Sequence, residues 1–552
     1  IYSKGHLAPL QRVDGSKAFD PEVLVSLSTL DKLSTLRSDP NASVRQLVAT
    51  ALAATGDAKW TQPLIELVKD KDVDVAREAA VGLGKIALAG LLTDAFRSGA
   101  RAAASTGVAP SNPLAPRTPH FPARAKRVIQ LFMAGGASHV DLFDHKPVLV
   151  QRNGEELPAS VRMGQRLTGM TGQQATLPMA GSIFKFAQHG QSGAWLSDLL
   201  PHTARVADRL CFIKSLHTEA INHEPAICAM QTGNQIGGRP CLGSWASYGL
   251  GSTNENLPTF VVLVATPTNR EQEQAISSRL WSSGYLPGEH AGVSFRSKGD
   301  PILYINNPPG VPDSVRKRTI DGLNALNELN YQQLGDPETA TRISQYEMAF
   351  RMQASVPELT DLSKEPEHIF KLYGEDAKKP GSFANSVLMA RRLAERGVRF
   401  VQLMHAGWDQ HRNLNTQLKI QCTDVDAPSA ALIKDLKQRG LLEDTLVIWG
   451  GEFGRTPFLQ GDITNTKQWG RDHHPYAFTV WMAGGGIKSG ITHGESDEFG
   501  FNAVKDKVHI HDLQATIMHL MGIDHERFTF RFQGRQFRLT DIHGEVVKPI
   551  LS

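Results

Sequence analysis

Cysteine is scarce in this sequence: four residues, Cys211, Cys228, Cys241 and Cys422, in a chain of 552. None belongs to a CxxC pair, which sets aside zinc ribbons and thioredoxin-type redox motifs. Buried free thiols are the expected state, and a Cys228–Cys241 disulfide is the alternative that spacing leaves open. An excess of one charge is lacking too. Lys and Arg number 59 against 56 Asp and Glu, a net +3 with 20 His uncounted. A dedicated nucleic-acid binder carries a basic stripe that this balance does not supply. An anionic substrate stays admissible, because a bound metal dominates the charge of a pocket. No apolar run reaches the length of a transmembrane helix. No signal peptide opens the chain, and its first residue is Ile1 rather than Met, as in a fragment or a processed form.

What is present is ordinary globular composition, 41% hydrophobic and 21% charged. That is enough apolar material for a large core. Three regions separate. Residues 1–92 are helical and repetitive: Asp39-Pro-Asn-Ala-Ser-Val44-Arg45 aligns with Asp70-Lys-Asp-Val-Asp-Val75, and the match continues through Ala49/Ala80 and Leu52/Leu83. Each unit is a polar turn followed by an apolar helix face. Such units resemble HEAT repeats, helix pairs that bury their faces only by stacking, and they offer a surface for a protein partner. The stretch Val81–Leu92 also has the apolar character of an export signal, but only Arg77 precedes it where a twin-arginine pair is needed. Residues 93–125 read as a Pro/Ala-rich linker.

Residues 126–552 alternate strands and helices. The expected strands are 127–133, 211–215, 259–265, 398–404, 445–450 and 478–483. The expected helices include 313–329, 384–396, 427–439 and 511–521. Apolar strands separated by amphipathic helices predict an α/β fold, a mostly parallel sheet sandwiched by helices. Ligands of such sheets bind beyond the carboxyl ends of the strands.

Five turns near those ends carry acids or imidazoles. Gly135-Gly-Ala-Ser-His139-Val-Asp141-Leu-Phe-Asp144 follows the first strand, and Asn222-His223-Glu224-Pro225 follows the second. His405-Ala-Gly-Trp408-Asp409-Gln-His411, Gly451-Glu452-Phe-Gly-Arg455 and Gly470-Arg471-Asp472-His473-His474 complete the set. One such residue alone is an ordinary loop residue; five convergent turns point to a metal. Mixed Asp/Glu/His ligands suit zinc, with manganese, iron or calcium as alternatives. Two ions about 4 Å apart would serve an in-line displacement. Arg455 and Arg471 are candidates for clamping an oxyanion, with structural salt bridges to Glu452 or Asp472 as the alternative.

The segments Gly135-Gly-x-Ser-x-x-Asp141-x-Phe-Asp144-x-Lys146-Pro147, Trp408-Asp-x-His411, Gly451-Glu-Phe-Gly-Arg-Thr-Pro457 and Gly470-Arg-Asp-His-His-Pro475 resemble the domain of unknown function 1501 family. These are sulfatase-like proteins of the alkaline-phosphatase superfamily, and the resemblance runs from about residue 115 to the end. It implies an alkaline-phosphatase-like sheet and a periplasmic or secreted location, although without an intact export signal the cytoplasm stays open. It implies metal ligands at Asp409, His411, Glu452 and His473 or His474, with Asp141 or His139 substituting for the acid that directly follows strand one in the superfamily. Sulfatases of the superfamily place Cys/Ser-x-Pro-Ser-Arg nine residues before a Thr-Gly. Counting back from Thr232-Gly233, Pro225 matches, but His223 replaces the nucleophile and Ile227 the Arg. A formylglycine sulfatase is therefore disfavoured. His223 is left as nucleophile, base or ligand.

The expectation is a metal-dependent hydrolase of phosphate or sulfate esters, acting on a small-molecule or polysaccharide substrate. A non-catalytic pseudo-hydrolase that binds polysaccharide or protein, and a phosphotransferase or mutase at the same site, are the alternatives.

Overall fold

The computed structural model describes residues 34–53, 58–81, 83, 114–269, 271, 273–296, 299–302, 306–307, 311–334, 337–461, 464–465 and 468–552. The expected linker up to residue 113, the start of the repeat region and most of the Val81–Leu92 stretch lie outside them. The chain divides into two compact units, residues 1–110 with 318–335, and residues 111–317 with 336–552.

In the first unit, α1 (Ala42–Ala53) and α2 (Thr61–Val68) pack through Val48, Ala49, Leu52, Leu64 and Leu67, all buried. Arg45 and Asp70, the residues that mark corresponding turns of the two repeats, are joined by a bidentate pair at 2.6 and 2.8 Å.

The second unit is built on a nine-stranded sheet. Its strands are β1 (Arg127–Met133), β2 (Cys211–His217), β3 (Phe260–Ala265), β4 (Val293–Phe295), β5 (Phe400–His405), β6 (Thr445–Gly450), β7 (Phe478–Ala483), β8 (Ile491–His493) and β9 (Val508–His509). The order is β8-β2-β7-β6-β1-β5-β3-β4, with β9 also on β2. Only β7 runs antiparallel to its neighbours among these strands.

The strands are apolar on both faces because helices cover both. Alternate residues of β1 enter separate cores: Ile129, Leu131 and Met133 one, Val128 and Phe132 the other. This is the period-two geometry of a strand buried on two sides. The covering helices include α3 (His223–Thr232), α4 (Leu242–Leu250), α5 (Phe383–Glu395), α6 (Leu414–Gln438) and α7 (Ile510–Leu520). The fold is thus the expected α/β sandwich. It differs in detail: α6 begins thirteen residues before the expected helix start at 427 and contains Pro428. All four cysteines are buried free thiols, so the Cys228–Cys241 alternative is not realised. No helix among the described residues is long and apolar enough to cross a membrane.

Candidate metal centre

Strands β5, β1 and β6 are adjacent and parallel, so their carboxyl ends lie side by side. The turn after β1 is pressed against the loop after β5. A side chain on Gly135 (φ +117°) would put its Cβ 2.6 Å from the Asp409 backbone nitrogen, so only glycine fits. The Gly135 N–H donates to Glu452 Oε1 at 2.9 Å, tying the β1 turn to the β6 turn.

Four side chains meet here: His223, Asp409, His411 and His473. Asp409 Oδ1 lies 3.1 Å from His223 Nε2, 2.7 Å from His411 Nε2 and 3.3 Å from His473 Nε2. The Nε2 atoms of His411 and His473 are 3.0 Å apart. Tetrahedral donors around zinc, at bonds of about 2.0–2.1 Å, lie about 3.3 Å from one another. The spacing fits a single ion of that size.

The other ring nitrogens fix the tautomers. His223 Nδ1 is 2.6 Å from Glu452 Oε1, His411 Nδ1 2.6 Å from Gln460 Oε1, and His473 Nδ1 2.8 Å from the Ile221 carbonyl. All three partners accept, so each Nδ1–H donates and each Nε2 is the basic nitrogen. Three imidazole nitrogens and a carboxylate oxygen aimed at one point form a group that could hold a metal ion. Hydrogen-bonded imidazole anchors of this kind accompany metal-ligating histidines generally.

The electrostatics agree. Burial pushes the Asp409 carboxyl up, but Arg455 and the three histidines hold it far below the carboxylate range. Burial lowers His223, yet hydrogen bonds to Asp409 and Glu452 outweigh it and leave the imidazole above its ordinary value. Burial brings His473 down to about 4, which keeps it neutral. The side chains of Asp409, His223 and His411 retain 13, 16 and 15% exposure, so the cluster opens to solvent on one side.

The other predicted residues are placed differently. Glu452 is fully buried and touches the cluster through His223. His474 lies outside the cluster. It follows His473 in a two-residue ladder against Gly454–Arg455, and successive strand residues face opposite ways. Its Nε2 meets the Phe501 carbonyl, and burial lowers it to about 3. Asp141 also lies outside: it accepts two bonds from Arg471 at 2.7 and 3.1 Å and one from Ser138 at 2.6 Å. His139, its alternative, bonds the Gly500 carbonyl.

Both arginines face the scaffold. Arg471 spends its remaining donors on the carbonyls of Thr456 and Ala180, each at 3.0 Å. Arg455 is fully buried and donates to Asp409 at 2.5 Å and to the carbonyls of Gly135, Gly136 and Arg471. Salt bridging, the alternative for these residues, is the geometry found, and the oxyanion clamp is not. The partner acids are Asp409 and Asp141 rather than the adjacent Glu452 and Asp472.

Sequence reasoning missed Gln460 and Gln274, the latter 2.9 Å from Asp409 Oδ2. Gln274 follows β3, so the carboxyl-end rule covered it. Gln460 carries no comparable signal.

The fold is a mostly parallel α/β sheet sandwiched by helices, with imidazoles and an acid that could hold a metal gathered at its carboxyl edge. Residues 125–551 match the family described as "Protein of unknown function (DUF1501)", and the chain belongs to that family. Residues 30–104 match HEAT repeats. None of the curated proteins matches the chain.

Solved structures similar to it include the lipoteichoic acid synthase LtaP from Listeria monocytogenes, at 11% identity and TM-score 0.29, covering 76% of each chain. Another is the alkaline phosphatase of the Antarctic bacterium TAB5, at 12% and 0.27, covering 73% of this chain and 99% of that one. A third is the PsFucS1 sulfatase from Pseudoalteromonas sp., at 13% and 0.29, covering 80% and 72%.

Proposed function

We propose that this protein is a metal-dependent hydrolase of phosphate or sulfate esters, with Asp409, His411 and His473 holding one divalent ion and His223 serving as general base. The observation that carries the reading is the convergence of three Nε2 atoms on Asp409 Oδ1, each with its Nδ1–H anchored. Nitrogen ligands favour zinc over calcium.

When bound, the ion supplies a positive charge that polarises an ester oxygen. His223 is assigned differently from the other two histidines because it alone is backed by a buried carboxylate. Four protein ligands would close a tetrahedron, whereas a catalytic ion keeps an open position. Asp409, His411 and His473 would hold the ion, and His223 Nε2, 3.1 Å from Asp409 Oδ1, would take the proton of an attacking water. Glu452, accepting from Nδ1–H, stabilises the imidazolium that results. No serine, threonine or cysteine belongs to the described cluster, which favours direct attack by water over a covalent intermediate.

The second reading follows from the same geometry. If His223 is instead the fourth ligand, the site is closed and structural, as in a metal-stabilised binding protein. Arg455, bound to Asp409 and not free for substrate, favours that reading.

The test is an assay of aryl phosphate mono- and diesters and aryl sulfates with zinc, manganese and calcium, alongside metal analysis of the purified protein. One bound ion per chain and a chelator-sensitive activity are expected. Inactivity toward every ester would sink the hydrolase and leave the closed site.

A further inference from the structure

A cavity of about 520 Å³ lies at the edge of the sheet opposite the metal centre. Arg124 precedes β1, Arg209 precedes β2, and Glu443 precedes β6. Because β7 is antiparallel, the turn that follows it, Gly484–Gly486, reaches the same edge. Strands of six or seven residues put about 20 Å between this edge and the metal centre.

The lining is strongly basic. Arg124, Arg209, Lys437 and Lys488 face a single acidic side chain, Glu443, and Ser489 and Ser552 also border the space. Glu443 is engaged by Lys437. The Lys488 ammonium donates to the Pro549 carbonyl at 2.8 Å, which leaves its charge uncompensated. No ion pair involves Arg124 or Arg209 among the described residues. Two guanidinium forks and one ammonium thus carry net positive charge into a concave surface, where low-dielectric walls concentrate the field.

The backbone fits the same purpose. Gly484, Gly485 and Gly486 all have positive φ, at 69°, 54° and 90°. A Cβ on Gly486 would fall 2.6 Å from Arg124 Cβ. The turn therefore has to be glycine for Arg124 to lie across it. The Gly485 N–H is spent on the Leu442 carbonyl and the Ile487 N–H on the Gly484 carbonyl, so the turn serves to seat Arg124 and the side chains supply the donors. No aromatic side chain lines the cavity, which removes the stacking surface a nucleobase needs.

We infer that this cleft is a binding site for a compact polyanion with two linked phosphate or sulfate groups, separate from the metal centre. Forked guanidinium donors on both sides of the glycine turn match the oxygens of such groups.

Calorimetric titration of the full chain with pyrophosphate tests it, with ADP in parallel. One pyrophosphate per chain is expected, no weaker than ADP. Binding at this cleft, measured as what His411→Ala retains, should fall at least tenfold when Arg124→Gln/Arg209→Gln are added and weaken with added salt. Thermal melts confirm that each variant is folded. Absence of saturable binding overturns the inference, as does His411→Ala binding that survives the added double substitution. Binding lost in a folded His411→Ala protein also overturns it, because the ligand would then sit at the metal centre. ADP binding tighter than pyrophosphate overturns the assigned ligand class.

Discussion

Glu452 Oε1 lies 2.6 Å from His223 Nδ1, and Glu452 is completely buried. A carboxylate so placed orients an imidazole and supports positive charge on it. If His223 is the base, Glu452→Gln keeps its metal and lowers kcat about 100-fold, the ordinary worth of general-base catalysis. His223→Ala does the same. The double variant is no worse than either single one, since the pair acts as a unit. Metal analysis beside kcat checks this. Loss of the ion from His223→Ala would make His223 the fourth ligand instead.

His411 and His473 have no such latitude. Either one changed to Ala removes a basic nitrogen from the cluster, and both variants should lose the ion on dialysis. Gln460 acts one step further out, through His411 Nδ1. Gln460→Ala is expected to weaken metal affinity about tenfold, the scale of lost support for a ligating imidazole. A competition titration with a chromogenic chelator reads this. An unchanged affinity would mean that Gln460 does not orient the ring.

Arg471 and Asp141 form a buried pair with nearly every donor and acceptor used. Burial pushes the Asp141 carboxyl up, and Arg471 overcomes it and keeps the group ionised. Arg471→Ala strands that charge and should cost about 3–5 kcal/mol of stability. Arg471→Met combined with Asp141→Leu should cost less, since neither charge is left buried alone. Urea denaturation of the two variants compares them. Equal losses would show that the carbonyl contacts of Arg471 matter more than its ion pair.

Much of this was legible in the sequence, for identifiable reasons. Strands β1, β6 and β7 have the bounds their apolar runs suggest, because burial on both faces leaves few polar residues to interrupt them. Strands β8 and β9 have three and two residues, too few to show a period. The expected helix began at 427, yet α6 starts at Leu414 and runs through Pro428: Leu418, Cys422, Val425 and Leu432 bury along its length and outweigh one lost hydrogen bond. At the site, position after a strand located Asp409, His411, Glu452 and His223. It did not reveal which way a side chain points. Asp141 and Arg471 find each other across 330 positions, and His474 turns away from His473 because a strand alternates.

Arg45 donates to both oxygens of Asp70, and their side chains are only 7 and 10% exposed. The hydrogen bonds from Arg45, ahead of opposing burial, hold the Asp70 carboxyl down at about 2. An unfolded aspartate titrates near about 3.9. The folded value is the lower one, so the unfolded chain binds the proton more readily. The pair's contribution is therefore complete above pH ~4 and is lost as pH falls through about 2. Asp70→Asn should destabilise residues 42–68 at pH 7, and the difference from wild type should shrink between pH ~4 and ~2. Hydrogen exchange of peptides from this segment, compared between wild type and variant at each pH, isolates the effect from the intrinsic exchange rate. A difference that stays constant down to pH ~2 would mean that Asp70 contributes through packing and not through its charge.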